Sequence, residues 1–349
     1  MPEITIVGAG ICGLTLAIAA VGHGHRVTVY ERREPEPAGE DGAYLTVSGQ
    51  ALADLDTLDV GVTLRATGVP VHTISMTTDG RSRRAPLTPV DGIGHHHFWR
   101  RDLIGALRRR CRELGATIIH GATATAVDTS PDDARLHLAD GRIVTSDVLV
   151  GCDGISSIVR GEIIAGPTRP VYDDQVVLYG HHARIPGHAH PGPGELSFFR
   201  HAEHTFGILD GGDTGIFWFA RLTRPELPPA GVGLHSSQDW ARELTAAFPT
   251  PAPDVRRHLA PTPTIFACNA ERVPDLSSWG DRRAVIIGDA AHGMSPAAGQ
   301  GASLAIADAL GIAAVLDPRT PGSEFSSAID RRRTATDDAR NTPARRPQD

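Results

Sequence analysis

The stretch Ile4-Thr5-Ile6-Val7-Gly8-Ala9-Gly10-Ile11-Cys12-Gly13, taken with Arg26-Val27-Thr28-Val29-Tyr30-Glu31, decides how the chain is read. Ile4 to Val7 is a short β-branched apolar run, the pattern of a parallel strand buried on both faces. Gly8, Gly10 and Gly13 follow at the spacing of a strand-to-helix turn. Ile11 to His23 then reads as a helix and Arg26 to Tyr30 as a second strand, which makes a βαβ opening. In such a unit one glycine makes the tight turn, one lets a pyrophosphate approach, and one lets helix and strand pack closely. The helix start presents unpaired amides and the positive dipole end to phosphate. Glu31, at the end of the second strand, is placed to accept hydrogen bonds from ribose hydroxyls. Its charge would oppose a 2′-phosphate, so this site calls for FAD or NAD rather than NADP. An ordinary glycine-rich turn would explain the glycines but not Glu31.

Composition narrows the chemistry. The chain has 349 residues, enough for one or two domains with a large core. All 34 Lys+Arg residues are arginine, so lysine Schiff-base chemistry is excluded. The net charge of −7 gives no reason to expect a nucleic-acid partner. The runs Arg108-Arg109-Arg110 and Arg331-Arg332-Arg333 read as solvated helix faces. Cys12, Cys111, Cys152 and Cys268 stand far apart in sequence and form no zinc pattern, which suits a reducing, cytoplasmic setting. The chain opens directly into a strand, with no signal peptide expected ahead of it, and no apolar run approaches the ~20 residues that span a bilayer. His95-His96-His97 invites a metal reading, but successive strand residues point to opposite faces. No metal is expected there.

Further along, Gly42 to Gly61 reads as a loop followed by a helix from Gly49 to Asp59. Val71 to Leu87 reads as a hairpin turning at Asp79-Gly80, and Arg100 to Leu114 as an amphipathic helix. Residues 169 to 271 read mainly as β, with strands at Val176 to His182, Glu195 to Arg200, Thr205 to Asp210 and Gly215 to Leu222. One helix, Ser237 to Phe248, interrupts them. Ala284 to Ile287 returns to a buried strand, and a helix runs from Ser303 to Leu316. The expected fold class is α/β: a Rossmann-like domain with a parallel sheet (residues 1–70, 95–168 and 272–340) and an inserted β-sheet domain (71–94 and 169–271). A polar tail, 341–349, is expected to fray.

Two more motifs follow the first. One is Asp147-Val148-Leu149-Val150-Gly151-Cys152-Asp153-Gly154, running on to Ser157 and Arg160. The other is Gly288-Asp289-Ala290-Ala291-His292, followed by Pro296-Ala297-Ala298-Gly299-Gln300-Gly301. Three motifs in this order resemble the class A FAD-dependent monooxygenases of the p-hydroxybenzoate hydroxylase type, which include salicylate hydroxylase-like and tetracycline-inactivating enzymes. The resemblance spans nearly the whole chain. It implies bound FAD, with Gly8, Gly10, Gly13, Glu31 and the adjacent Arg32 around the ADP half and Asp289 at the ribityl and pyrophosphate region. Pro296, Gly299, Gln300 and Gly301 would lie along the isoalloxazine. Asp153 would contact FAD and the reductant. Arg100, three residues before Leu103, matches the family's flavin-touching arginine, with Arg101 as its neighbouring alternative. Against these stand plainer roles: Asp153 as a turn cap at Gly154, Arg160 as a structural ion-pair partner, His292 as a packed histidine.

The implied reaction uses NADH or NADPH as a transient co-substrate and O2 as oxidant. A C4a-hydroperoxide on the flavin would hydroxylate a small aromatic or polycyclic substrate. An epoxidase or Baeyer–Villiger outcome, or a reductase or dehydrogenase of the same superfamily, is the alternative. Tyr179-Gly180-His181-His182, Phe198-Phe199-Arg200 and Phe217-Trp218-Phe219 supply a sheet face that would cover the substrate. His181, His182 and His204 are the candidate bases for a phenol, because histidine titrates near neutral pH. The helical region after the third motif is short for the family, and its thioredoxin-like extra domain is not expected.

Overall fold

The structure, a computed structural model, describes residues 1–34, 43–166, 168–187, 190–249, 255–281, 283–295, 299–317 and 319–341. The strand Glu3–Val7 lies in the middle of a five-stranded parallel sheet. Arg26–Tyr30 and then Thr117–Ile119 flank it on one side, and Val148–Gly151 and then Ala284–Ile286 on the other. Ile4, Ile6, Val29, Leu149, Val150 and Val285 are fully buried, as their unbroken apolar runs require. The helix Ile11–Gly22 is apolar nearly all round. It is wedged between the helices Arg100–Glu113 and Gly301–Ala313, which is where such a helix can bury every face. All three motifs therefore end at the same edge of one sheet.

The second large unit is an eight-stranded, mostly antiparallel sheet built from Thr73–Thr78, Arg81–Pro86, Val171–His182, Glu195–His201, His204–Asp210, Ile216–Thr223, Gly233–Ser236 and Thr264–Arg272. Period-2 alternation sorts its side chains. Val176, Leu178, Phe206, Ile208, Trp218 and Ala220 turn to one face and pack under Trp240 and Leu244 of the helix Ser237–Ala247. Tyr179, Phe217 and Leu209 turn to the other face. There they meet Tyr44 and Val71 from a three-stranded sheet of Tyr44–Val47, Val69–Val71 and His95–Trp99. The Tyr44 hydroxyl donates to the carbonyls of Trp218 and Gly180, tying the two units together inside the core. Tyr44→Phe is expected to cost about 1 kcal/mol, read as a lower urea midpoint at unchanged slope.

Several local expectations change. Gly42 to Gly61 contains the strand Tyr44–Val47 ahead of the helix Gly49–Asp56. That strand is only four residues long, and its partner His95–Trp99 lies far along the chain. Thr264–Arg272 is a ladder strand beside Val171–His182, a pairing no local signal announces. The arginine runs are not simply solvated faces. Arg110 donates to the Leu58 carbonyl and pairs with Asp59 at 2.7 Å, and Arg332 pairs with the buried Asp308. Cys12 and Cys152 come together at the base of the first turn despite their sequence separation. The tail expected to fray lies, from residue 342, outside the described residues.

Candidate functional site

The three motifs converge on an open cleft of about 700 Å³. Gly8, Gly10, Glu31, Arg32, Arg100, Arg101, Asp153, Gly154 and Asp289 all line it. The three glycines differ in their surroundings. Gly8 has φ +103°, and a Cβ there would lie 2.4 Å from the Cys152 carbonyl oxygen. A Cβ on Gly13 would lie 2.0 Å from the Gly8 carbonyl oxygen, so Gly13 sits behind the cleft and serves helix–strand packing. A Cβ on Gly10 would meet nothing within 4 Å. Gly10 is thus the open side of the cradle. As the cap of the helix Ile11–Gly22 it carries no side chain to satisfy the first amides.

Glu31 holds this cradle in place. One carboxylate oxygen accepts from the Ala9 amide at 2.7 Å and the other from the Arg33 amide at 2.8 Å. Asp153 caps the helix Ile158–Ile163, accepting from the Ser157 hydroxyl at 2.5 Å and from the Ile158 and Val159 amides. The capping alternative thus describes a helix start rather than a bare turn, and Asp153 is also among the residues lining the cleft. Burial raises the Asp153 pKa, opposed by Ser157 and the amides. Arg160, 2% exposed, donates to the carbonyls of Thr168, Ala290 and Ile155. Its partners are backbone oxygens rather than the carboxylate an ion pair would supply. Burial lowers its pKa, with Asp153 acting the other way.

Asp289 opens the short helix Asp289–His292 after Gly288 and lines the cleft. Gly299 and Gln300 are exposed, and Gly301 begins the helix Gly301–Ala313. None of these three lines the cleft; Gly301 comes near Asp289, a Cβ there lying 3.8 Å from its carboxylate. Pro296 lies outside the described residues. Arg33, Glu34, Ile104, Gly105, Arg108 and the Ala122–Ala124 segment also line the cleft and were not singled out. Arg108 and Ile104 follow Arg100 and Arg101 along one helix face at three- and four-residue intervals, the available signal.

The three histidines separate. His181 shares its sheet face with Tyr179 and Phe217, and its ring lies 5.0 Å from Trp99 and 4.8 Å from Phe217. Its Nε2–H donates to the Thr214 carbonyl at 2.6 Å, which leaves the Nδ1 lone pair as acceptor. Burial lowers its pKa, partly countered by the Thr214 carbonyl. His182 turns to the helix-covered face, 3.2 Å from His258. His204 is on that same face, its ring 6.1 Å from Phe248 and its Nδ1 accepting from the Thr223 amide. His182 and His204 are therefore removed from the face that carries His181, Tyr179 and Phe217. The reason is strand alternation, which sends adjacent residues to opposite faces. In the His95–His97 run, His97 is packed against Tyr44 and Phe217, with burial taking its pKa down to about 3.

The family model of the FAD binding domain matches residues 1–174 and 265–334. The chain is 31% identical over 338 residues to 3-hydroxybenzoate 6-hydroxylase 1 of Aquipseudomonas alcaligenes, covering 89% of this chain and 79% of that one. The chain belongs to the class A FAD-dependent monooxygenases. A second relative of this monooxygenase, the 3-amino-4-hydroxybenzoate 2-monooxygenase of Streptomyces cremeus, is 29% identical, covering 92% of this chain and 80% of its own. Among solved structures, Klebsiella pneumoniae HpxO complexed with FAD and uric acid shares the fold at a TM-score of 0.82 and 21% identity. That match covers 97% of this chain and 87% of the other. The donor set fits the FAD of this family. An open glycine cradle and bare helix amides would suit the pyrophosphate's charge, and carboxylates at Glu31 and Asp289 would suit hydroxyls. Among the described residues, no helix is long and apolar enough to cross a membrane.

Proposed function

We propose that this monooxygenase hydroxylates a small aromatic substrate, with the cleft from Glu31 to Asp289 as its FAD site. The observation that carries the reading is the meeting of Gly10, Asp153 and Asp289, one from each motif, around a single cleft. Gly8, Gly10, Gly13, Glu31 and Arg32 serve the ADP half, and Arg100, Asp153 and Asp289 the remainder. Pro296, Gly299, Gln300 and Gly301 serve the isoalloxazine end. When bound, FAD supplies hydride acceptance from NADH or NADPH and activation of O2. The protein orients the cofactor and excludes water. The 71–94 and 169–271 segments form the substrate half and the remainder the FAD half. Tyr179, Phe217 and Trp99 form an apolar wall on the sheet face nearest Arg100. The working compartment is the cytoplasm. No nucleic-acid or membrane partner enters this reading.

His181 is the base this arrangement favours. Its folded pKa is lowered, so it stays unprotonated to more acid pH than an ordinary histidine and loses function only below that range. The acid limb of kcat/KM should therefore fall below the usual histidine value. His181→Ala should remove that limb and lower the rate by about 10²- to 10⁴-fold. An unchanged pH–rate profile would remove His181 from the chemistry. The reaction itself is tested by oxygen uptake with NADH or NADPH and hydroxylated benzoates. Substrate-stimulated uptake matched by hydroxylated product supports the proposal, and product without oxygen uptake would indicate a reductase.

A further inference from the structure

Asp308, on the helix Gly301–Ala313, is 0% exposed and holds three groups at once. One oxygen accepts from His292 Nε2 at 2.5 Å and from the Gly288 amide at 3.1 Å. The other accepts from Arg332 Nε at 2.9 Å. Gly288 and His292 bracket Asp289 in sequence, so one buried carboxylate fixes both ends of the turn that carries Asp289 into the cleft. Gly288 has φ +60°, a left-handed conformation that glycine adopts without a Cβ clash. Arg332 comes from a separate element, the helix Gly322–Asn341, whose Phe325, Ala328 and Ile329 are anchored in the main core. Its path is specific. A Cβ on Gly311 would lie 2.8 Å from Arg332 Cδ, so glycine there leaves the guanidinium its way in. Burial would raise the Asp308 pKa, but His292 and Arg332 together hold it below the ordinary carboxylate value. Neither His292 nor Arg332 lines the cleft.

We infer that Asp308 is a positioning residue for FAD binding, acting through Asp289, and that Arg332 makes the last helix a working part of the cofactor site. The inference rests on the reading of Asp289 as an FAD contact. Without Arg332 the buried carboxylate loses its guanidinium partner, and the strain of an undercompensated charge falls on the Gly288–His292 turn. Groups outside the cleft thereby set cofactor affinity.

The test is a double-mutant cycle on FAD dissociation constants, read from flavin fluorescence with apoprotein. Arg332→Gln and Asp289→Asn should each weaken binding by about tenfold, and the double variant should be no weaker than Asp289→Asn alone, because contacting groups acting through one route are non-additive. Arg332→Lys should restore part of the loss by returning the charge, which a purely steric role would not permit. Gly311→Leu, which blocks the path without touching a charge, should reproduce the Arg332→Gln loss. Additive losses, or wild-type affinity in Arg332→Gln while Asp289→Asn releases FAD, would overturn the clamp alone. Unchanged affinity in Asp289→Asn would overturn the reading of the cleft and the clamp with it.

Discussion

Gly10→Val is expected to give a folded protein that binds FAD roughly ten- to a hundredfold more weakly than the native chain. The backbone at Gly10 is extended, with φ −78° and ψ −172°, so any residue can adopt it. No atom lies within 4 Å of the added Cβ, so the apoprotein has nothing to rearrange. The added branch projects into the cleft where the pyrophosphate must come close. Forcing carbons into a filled site costs about 1–3 kcal/mol, and each 1.4 kcal/mol is tenfold in affinity. The thermal transition of the apoprotein should be nearly unchanged while the FAD-dependent rise in that transition becomes smaller at the same FAD concentration. Gly8→Ala and Gly13→Ala make the contrast. Their Cβ atoms would strike backbone, so both should lose stability before any cofactor is added. Equal FAD affinity in Gly10→Val would place the pyrophosphate elsewhere.

Arg160→Met should lower stability by about 3 kcal/mol or more. Three carbonyls in three segments share this one guanidinium, and Met, similar in length, can donate to none of them. Arg160→Lys should recover little, since an ammonium presents its donors from a single point and cannot span the fork. The measurement is chemical denaturation of apoprotein, with a lowered midpoint expected for both variants. The Ala290 carbonyl is one of the three, so FAD affinity should fall as well, by displacement of the Asp289 turn. A native midpoint in Arg160→Met would mean that the three carbonyls find water instead.

The parallel-sheet half was legible because its signals are local. The run Ile4 to Val7, the glycine spacing, Glu31 and the two later motifs each state their element within a few residues. The cleft assembled from them as the topology of one sheet requires. What was not legible depends on partners distant in sequence. Tyr44–Val47 is a strand only because His95–Trp99 lies beside it. Arg332 belongs to a buried carboxylate that no helical periodicity reveals. The ion-pair alternative for Arg160 supposed a carboxylate partner, and here backbone oxygens take that place. Among the histidines, alternation along Val171–His182 separates His181 from His182 once the core face is known, and the aromatic content of both faces concealed which face that was. Electrostatics sharpened the site more than motif spacing did. Glu31 and Asp153 each spend hydrogen bonds on backbone amides, so both carboxylates are preset before any ligand arrives.

The central claim is best tested by an absorbance spectrum of the purified protein reconstituted with FAD, followed with NADH and NADPH first without air and then with it. The structure and its family predict flavin bands that bleach under reductant in the absence of oxygen and return when oxygen is admitted, with bleaching accelerated by a small aromatic substrate. A chain that takes up no FAD, or that holds FAD which neither reductant bleaches with such a substrate present, would contradict the assignment of the Gly10–Asp153–Asp289 cleft to monooxygenase chemistry.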